Sequence, residues 1–212
     1  MPPCENSKIF PGLLACCSYN ITMKKNPPIF IVRGVPNSGK TPFCEMLSNA
    51  LGRVVPPGTG PVVCVDEDSF WWPVGICDSP CYKYDERLEG CTTRHALGGM
   101  AFNLLETPEL PLIVEGVFCC GVDWSLKQFL GLAKKFERDV VIIRTEMHPT
   151  EADYAKCDRP SNHTLPPQEE IEEIRRDFEP IRREIVVRDE TAARICEGLA
   201  RKVARECYGN YE

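Results

Sequence analysis

Gly34-Val35-Pro36-Asn37-Ser38-Gly39-Lys40-Thr41 fits the pattern G-x-x-x-x-G-K-[ST], the phosphate-binding P-loop. Its flanks support that reading. Ile29-Phe30-Ile31-Val32 is a short apolar, β-branched run, the mark of a buried strand. Residues 41–51 set Phe43, Met46, Leu47, Ala50 and Leu51 at helical spacing, with Gly52 as the stop. Strand, glycine loop and helix form the geometry that phosphate binding needs. Glycines let the backbone turn tightly and aim N–H groups inward. The helix N-terminus adds partial positive charge where phosphates would sit. Gly34, Pro36, Asn37, Ser38, Gly39, Lys40 and Thr41 are thus candidates for binding ATP or another nucleoside triphosphate. In this pattern Lys40 reaches the β/γ-phosphates and Thr41 ligates Mg²⁺.

Outward from the loop, apolar runs alternate with helical patterns. Residues 62–65 read as a second buried strand that ends in Asp66-Glu67-Asp68. Residues 112–114 form a third, ending at Glu115-Gly116, and residues 140–143 a fourth. Helical spacing covers residues 91–105, 124–136, 150–155, 168–184 and 190–207. Pro180 lies inside the fourth of these and should kink or break it. Ile185-Val186-Val187 reads as a short fifth strand in preference to more helix. Continuous apolar strands alternating with helices predict a parallel sheet of four or five strands, covered by helices on both faces. Ligands in such sheets bind beyond the carboxyl ends of the strands.

With 212 residues, one domain is the expectation, and 43% apolar residues suffice for its core. Residues 1–27, with four prolines, read as an N-terminal arm, and residues 28–212 as the domain. A net charge of −6 argues against a global field that attracts duplex nucleic acid, while leaving room for one strand in a local groove. Thirteen cysteines is a high count, but Cys44, Cys64, Cys119 and Cys120 lie in or beside apolar runs. They read as small buried hydrophobes in a reducing, cytoplasmic compartment. No run reaches the roughly 18 apolar residues of a membrane span. Residues 9–17 lack the basic start and cleavage site of a signal peptide. The sequence does not indicate an oligomeric state.

Asp66 and Glu115 end neighbouring runs and point to the crevice that the loop occupies. Phosphoryl transfer needs one carboxylate to take the proton of the attacking hydroxyl and another to hold Mg²⁺ or its waters. Asp66 is read as the base, Asp68 as its backup, and Glu115 as the metal's support. The plain alternative for Asp66 and Asp68 is turn capping. The charged loop over residues 156–167 reads as a lid, and its Arg159 as the guanidinium that neutralises a transferring phosphoryl group. Arg175 and Arg176 read as a solvated helix face. Trp71 and Trp72 read equally as core packing and as stacking platforms for a base; Tyr82 and Tyr84 lean towards structure. Cys77, Cys81, Cys91 and His95 are irregularly spaced for zinc. His148 reads as a turn or surface residue. So does His163, whose place in the lid also makes it a minor candidate for phosphate contact.

These residues resemble the P-loop kinases of the bacteriophage polynucleotide 5′-kinase type, close to zeta-toxin-like and small-molecule P-loop kinases. Residues 34–41 match their P-loop, Asp66 their catalytic Asp and Glu115 their acid after strand three. Tyr82-Lys83-Tyr84 with Glu89-Gly90 resembles the lead-in to their acceptor helix, and residues 150–166 with Arg159 resemble their lid. The similarity covers roughly residues 28–180, and its P-loop is the specific part. It implies the three-layer α/β P-loop NTPase fold with a lid, and it implies phosphotransfer from ATP with Mg²⁺. There is one departure: where polynucleotide kinases carry an arginine three residues beyond the catalytic Asp, this chain has Ser69. Arg87 and Arg94 are the candidate substitutes on the acceptor side. No phosphatase or ligase domain is expected.

Three readings follow. The first is a kinase acting on a hydroxyl of a nucleic acid, as a 5′-OH end or a modified base, or of a nucleoside. The second is a kinase of a small metabolite, sugar nucleotide or antibiotic. The third is a nucleotide-binding regulatory switch, against which stands the lack of a clear water-positioning residue.

Overall fold

A computed structural model describes residues 25–57, 62–66, 110–118, 124–148 and 168–209. Its centre is β1 (Ile29–Arg33), every residue of which is buried. The other strands are β2 (Val63–Asp66), β3 (Leu112–Gly116), β4 (Val140–Thr145) and β5 (Ile185–Val187). All pairings are parallel and the order is β2-β3-β1-β4-β5. The described helices are α1 (Lys40–Gly52), α2 (Trp124–Lys135), α3 (Gln168–Asp177) and α4 (Asp189–Val203), the last continuing into a π-turn over Ala204–Tyr208. The fifth strand expected from Ile185-Val186-Val187 is present.

Strand side chains alternate between faces, and here the alternation sorts the core into two. Phe30 and Val32 join Ile113, Ile143 and Val187 beneath α1 and α4. Ile29 and Ile31 join Leu112 and Val114 against Leu126, Phe129 and Ala133 of α2. The result is three layers: helices, sheet, helices. Truncating a fully buried ring such as Phe30 in this arrangement costs about 3–5 kcal/mol.

Three expectations need correction. Residues 62–65 were expected to be a buried strand, but β2 is an edge strand of the described sheet, half-buried, with Cys64 exposed. An edge strand has one neighbour and less cover, so an apolar run need not be interior. Cys44, by contrast, is buried in α1 as expected. Second, α3 stops at Asp177, not at residue 184. Pro180 lacks an N–H and crowds the carbonyl four residues back, and it restricts the residue before it, so the helix ends ahead of it. Third, the last helix is α-helical only to Val203 before it widens. Among the described residues no helix is long and apolar enough to cross a membrane.

The segment between α3 and β5 is held by a buried charge that the sequence pattern did not show. Arg33, the last residue of β1, is fully buried. Its Nε donates to Phe118 O at 2.8 Å, its Nη2 to Glu179 O at 2.8 Å and its Nη1 to Glu184 Oε2 at 2.6 Å. Its guanidinium lies 4.0 Å from the centre of the Phe178 ring. Glu184 is shared with Arg144 Nε at 2.8 Å, and Arg144 in turn pairs with Glu146 at 2.7 Å. At the other end of the sheet, buried Arg138 donates to Pro27 O at 2.7 Å and Leu110 O at 2.5 Å, fixing the segments that lead into β1 and β3.

Removing one partner of a buried pair leaves charge uncompensated. Glu184→Ala should therefore lower unfolding free energy by about 3–5 kcal/mol, read as a lower urea midpoint. A second prediction concerns alkali. Burial pushes the Cys196 thiol up from its ordinary 9.0 to about 12. Between those values the unfolded chain releases a proton that the folded chain keeps, so stability falls as pH rises. Urea melts should show this component level below pH 9.0 and declining towards about 12. Cys196→Ala should remove it.

Candidate nucleotide site

Residues 34–39 leave β1 and turn into α1 at the carboxyl edge of the sheet. The loop is tight. Ser38 N–H donates to Val35 O at 3.2 Å, and Phe43 N–H makes the first helical bond to Gly39 O at 3.1 Å. Asn37 and Gly39 hold φ of 62° and 81°. Glycine adopts that region without strain and asparagine tolerates it. Gly39 caps α1, so the helix begins at Lys40 with its first N–H groups turned to the loop. Lys40 Nζ folds back over the loop and donates to Val35 O at 3.1 Å.

The deciding contact crosses from α1 to β3. Thr41 Oγ1 donates to Glu115 Oε1 at 2.7 Å. Alternation explains why they meet: Glu115 follows Ile113 by two residues and so shares the sheet face that α1 covers. Glu115 is 3% exposed, an acid inside an otherwise apolar strand. Parallel register places Asp66 beside Glu115 and Glu115 beside Val32. The backbones of Asp66 and Glu115 thus stand at one level, two residues short of Gly34. The hydroxyl and carboxylate oxygens of Thr41 and Glu115 are hard donors of the type that Mg²⁺ takes.

β4 supports the loop from the other side. Thr145 Oγ1 lies 2.8 Å from Ser38 Oγ and 3.3 Å from Arg33 O. Met147 N–H donates to Ser38 O at 3.1 Å. A Cβ on Gly34 would lie 2.2 Å from Ser38 Oγ and 2.5 Å from Thr145 Oγ1, and one on Gly39 would lie 2.7 Å from Met147 Cβ. Both motif glycines are therefore demanded by the approach of neighbouring atoms. Thr145 and Met147 went unread in the sequence, although the rule that ligands lie past strand ends would have pointed to the residues closing the fourth strand.

No family model matches the chain, and no curated protein matches it. Solved structures share its fold. Kti12 of Chaetomium thermophilum, in complex with ADP-AlF3, superposes with a TM-score of 0.55 at 12% identity, over 83% of this chain and 97% of that one. A protein of Chloroflexus aurantiacus classed as a kinase gives 0.52 at 17% identity, over 86% and 99%. The fold is that of the P-loop NTPases. Five parallel strands with helices on both faces and the glycine loop after β1 are its common frame, and this chain has each of them.

The structure thus brings together Gly34, Ser38, Gly39, Lys40, Thr41 and Glu115, with Asp66 in register beside them. Asp68, Trp71, Trp72, Tyr82, Tyr84, Arg87 and Arg94 lie outside the described residues. So do Arg159 and the 156–167 loop, His163, Cys119 and Cys120, the arm to residue 24, the helices read over 91–105 and 150–155, and the Cys77, Cys81, Cys91 and His95 group. Among the described residues no cluster of three His, Cys, Asp or Glu forms a metal site. His148 sits on the surface with Nδ1 3.5 Å from Asp189, and Arg175 and Arg176 are exposed, as read.

The Thr41–Glu115 bond can be tested without any ligand. Thr41→Val takes a donor from a buried carboxylate and should cost about 1–3 kcal/mol in urea unfolding. Thr41→Ser should cost much less, because it keeps the hydroxyl.

Proposed function

We propose that this protein is a phosphotransferase that moves the γ-phosphate of ATP, or another nucleoside triphosphate, to an alcohol. The observation that carries the reading is the 2.7 Å bond from Thr41 to Glu115, which joins the glycine loop to a buried acid on the next strand. Phosphoryl transfer rests on positioning and charge stabilisation, and these groups supply both. The loop amides and Lys40 hold the donor phosphates. Thr41 and Glu115 hold Mg²⁺ or its waters, and the metal, when bound, neutralises charge on the phosphates. Asp66 accepts the proton of the attacking hydroxyl, and Arg159 stabilises the transferring group from a lid over residues 156–167. The catalytic domain spans residues 28–212, preceded by an arm over 1–27. Buried free thiols at Cys44, Cys196 and Cys207 suit a reducing, cytoplasmic setting.

The acceptor is a hydroxyl of a nucleic acid end, a modified base or a nucleoside, as in the polynucleotide kinase type. On this reading one ring of the Trp71-Trp72 pair stacks on the base, and Asp68, Arg87 and Arg94 line the acceptor side. Two observations favour a second reading, a small metabolite, sugar nucleotide or antibiotic: Ser69 replaces the acceptor-side arginine, and the chain carries a net charge of −6. A regulatory switch that hydrolyses slowly is the reading from another class.

The test uses γ-labelled ATP and Mg²⁺ with 5′-hydroxyl DNA and RNA, nucleosides, hydroxymethylated DNA and a metabolite panel. Label on polymer or nucleoside supports the first acceptor, and label on a metabolite the second. Slow phosphate release with no labelled acceptor overturns the kinase reading in favour of the switch. Asp66→Asn should lower transfer by at least about 100-fold while sparing ATP binding, as loss of a general base does. Full transfer in that variant moves the role to Asp68.

A further inference from the structure

All three polar groups of Ser38 are committed within the protein. Its N–H donates to Val35 O at 3.2 Å and its carbonyl accepts from Met147 N–H at 3.1 Å. Its hydroxyl meets Thr145 Oγ1 at 2.8 Å. A hydroxyl has one proton. The two hydroxyls share one hydrogen bond, and Thr145 Oγ1 also lies 3.3 Å from Arg33 O. Both hydroxyls lie in buried surroundings, Thr145 at 2% exposure and Ser38 at 5%. The Ser38 hydroxyl is therefore held by β4. It serves as the point where β4 grips the crown of the loop.

The same strand end touches both termini of the loop. Thr145 closes on Gly34, and Met147 on Gly39. Residues 145–147 thus act as an external template against which the segment from Gly34 to Gly39 is bent. We infer that Thr145 is a positioning residue for nucleotide binding: its hydroxyl, acting through Ser38, sets the curvature that aims the loop amides at phosphate. This rests on the reading of the loop as a nucleoside triphosphate site. Thr145 acts through Ser38 and not on the substrate, and takes no part in the chemical step. Its removal should weaken donor binding and leave turnover at saturation intact.

The experiment compares wild type with Thr145→Val, Thr145→Ser, Ser38→Ala and the Thr145→Val/Ser38→Ala double variant. Mg·ATP affinity is measured by calorimetry, KM for ATP and kcat by label transfer, and Tm by thermal melting. Thr145→Val keeps the shape and loses the hydroxyl, and should raise Kd and KM for ATP about five- to tenfold, with kcat within about twofold. Thr145→Ser should restore affinity. Ser38→Ala should weaken binding no more than Thr145→Val, which also loses the bond to Arg33 O, and the double variant should be no weaker than Thr145→Val, because all three lose one shared bond. A merely structural role would lower Tm in step with affinity and would not separate KM from kcat. Wild-type affinity in Thr145→Val overturns this proposal alone, as do failure of the serine rescue and additive losses. Wild-type protein that binds no nucleoside triphosphate overturns the nucleotide reading and this proposal with it.

Discussion

β1 has no face open to water. Its alternate residues enter two separate cores, and strands flank it on both edges. Everything at the carboxyl edge of the sheet depends on that confinement. The loop must leave a strand that cannot shift without disturbing both helical layers. Interiors packed at crystal-like density transmit small displacements instead of absorbing them. Glu115 on β3 and Thr145 on β4 are therefore fixed relative to Gly34 by sheet register, and each meets the loop from its own side. A flexible glycine segment acquires a definite shape because two rigid strand ends hold it.

Confinement also explains why an arginine stands at the end of so apolar a strand. Arg33 reaches past the sheet edge and gathers two carbonyls, a carboxylate and an aromatic face. Burial of a guanidinium is tolerable when its donors are matched in this way. The contacts join β3's exit and the α3–β5 connection to the residue that precedes the loop. They also share Glu184 with Arg144 on β4, so the charges form a network and not an isolated pair.

What could be read in the sequence follows from the range of the interactions. The loop and α1 are local patterns, and β1, β3, β4 and β5 are short apolar runs between breakers, so they were legible. Glu115 was legible because an acid interrupts an apolar strand. Other features rest on partners distant in the chain. Arg33 and Glu184 are 151 residues apart, and Ser38 and Thr145 are 107 apart. Periodicity carries no trace of such pairs. The edge position of β2 was hidden for a related reason, since strand order is a property of the whole sheet. The early end of α3 was legible in part: Pro180 signalled the break, but apolar spacing beyond it suggested continuation.

The sheet order has a consequence for synthesis. β1 is the first of the described strands to be made, yet its two partners lie about 80 and about 110 residues downstream. At ribosomal rates of roughly 5–20 residues per second, the first partner follows on the order of 4–16 s later. For that interval Ile29-Phe30-Ile31-Val32 is an unpaired, uncharged β-forming segment, the kind that associates with other chains. The residues that make the centre of the sheet rigid are thus the ones most in need of shelter before it exists.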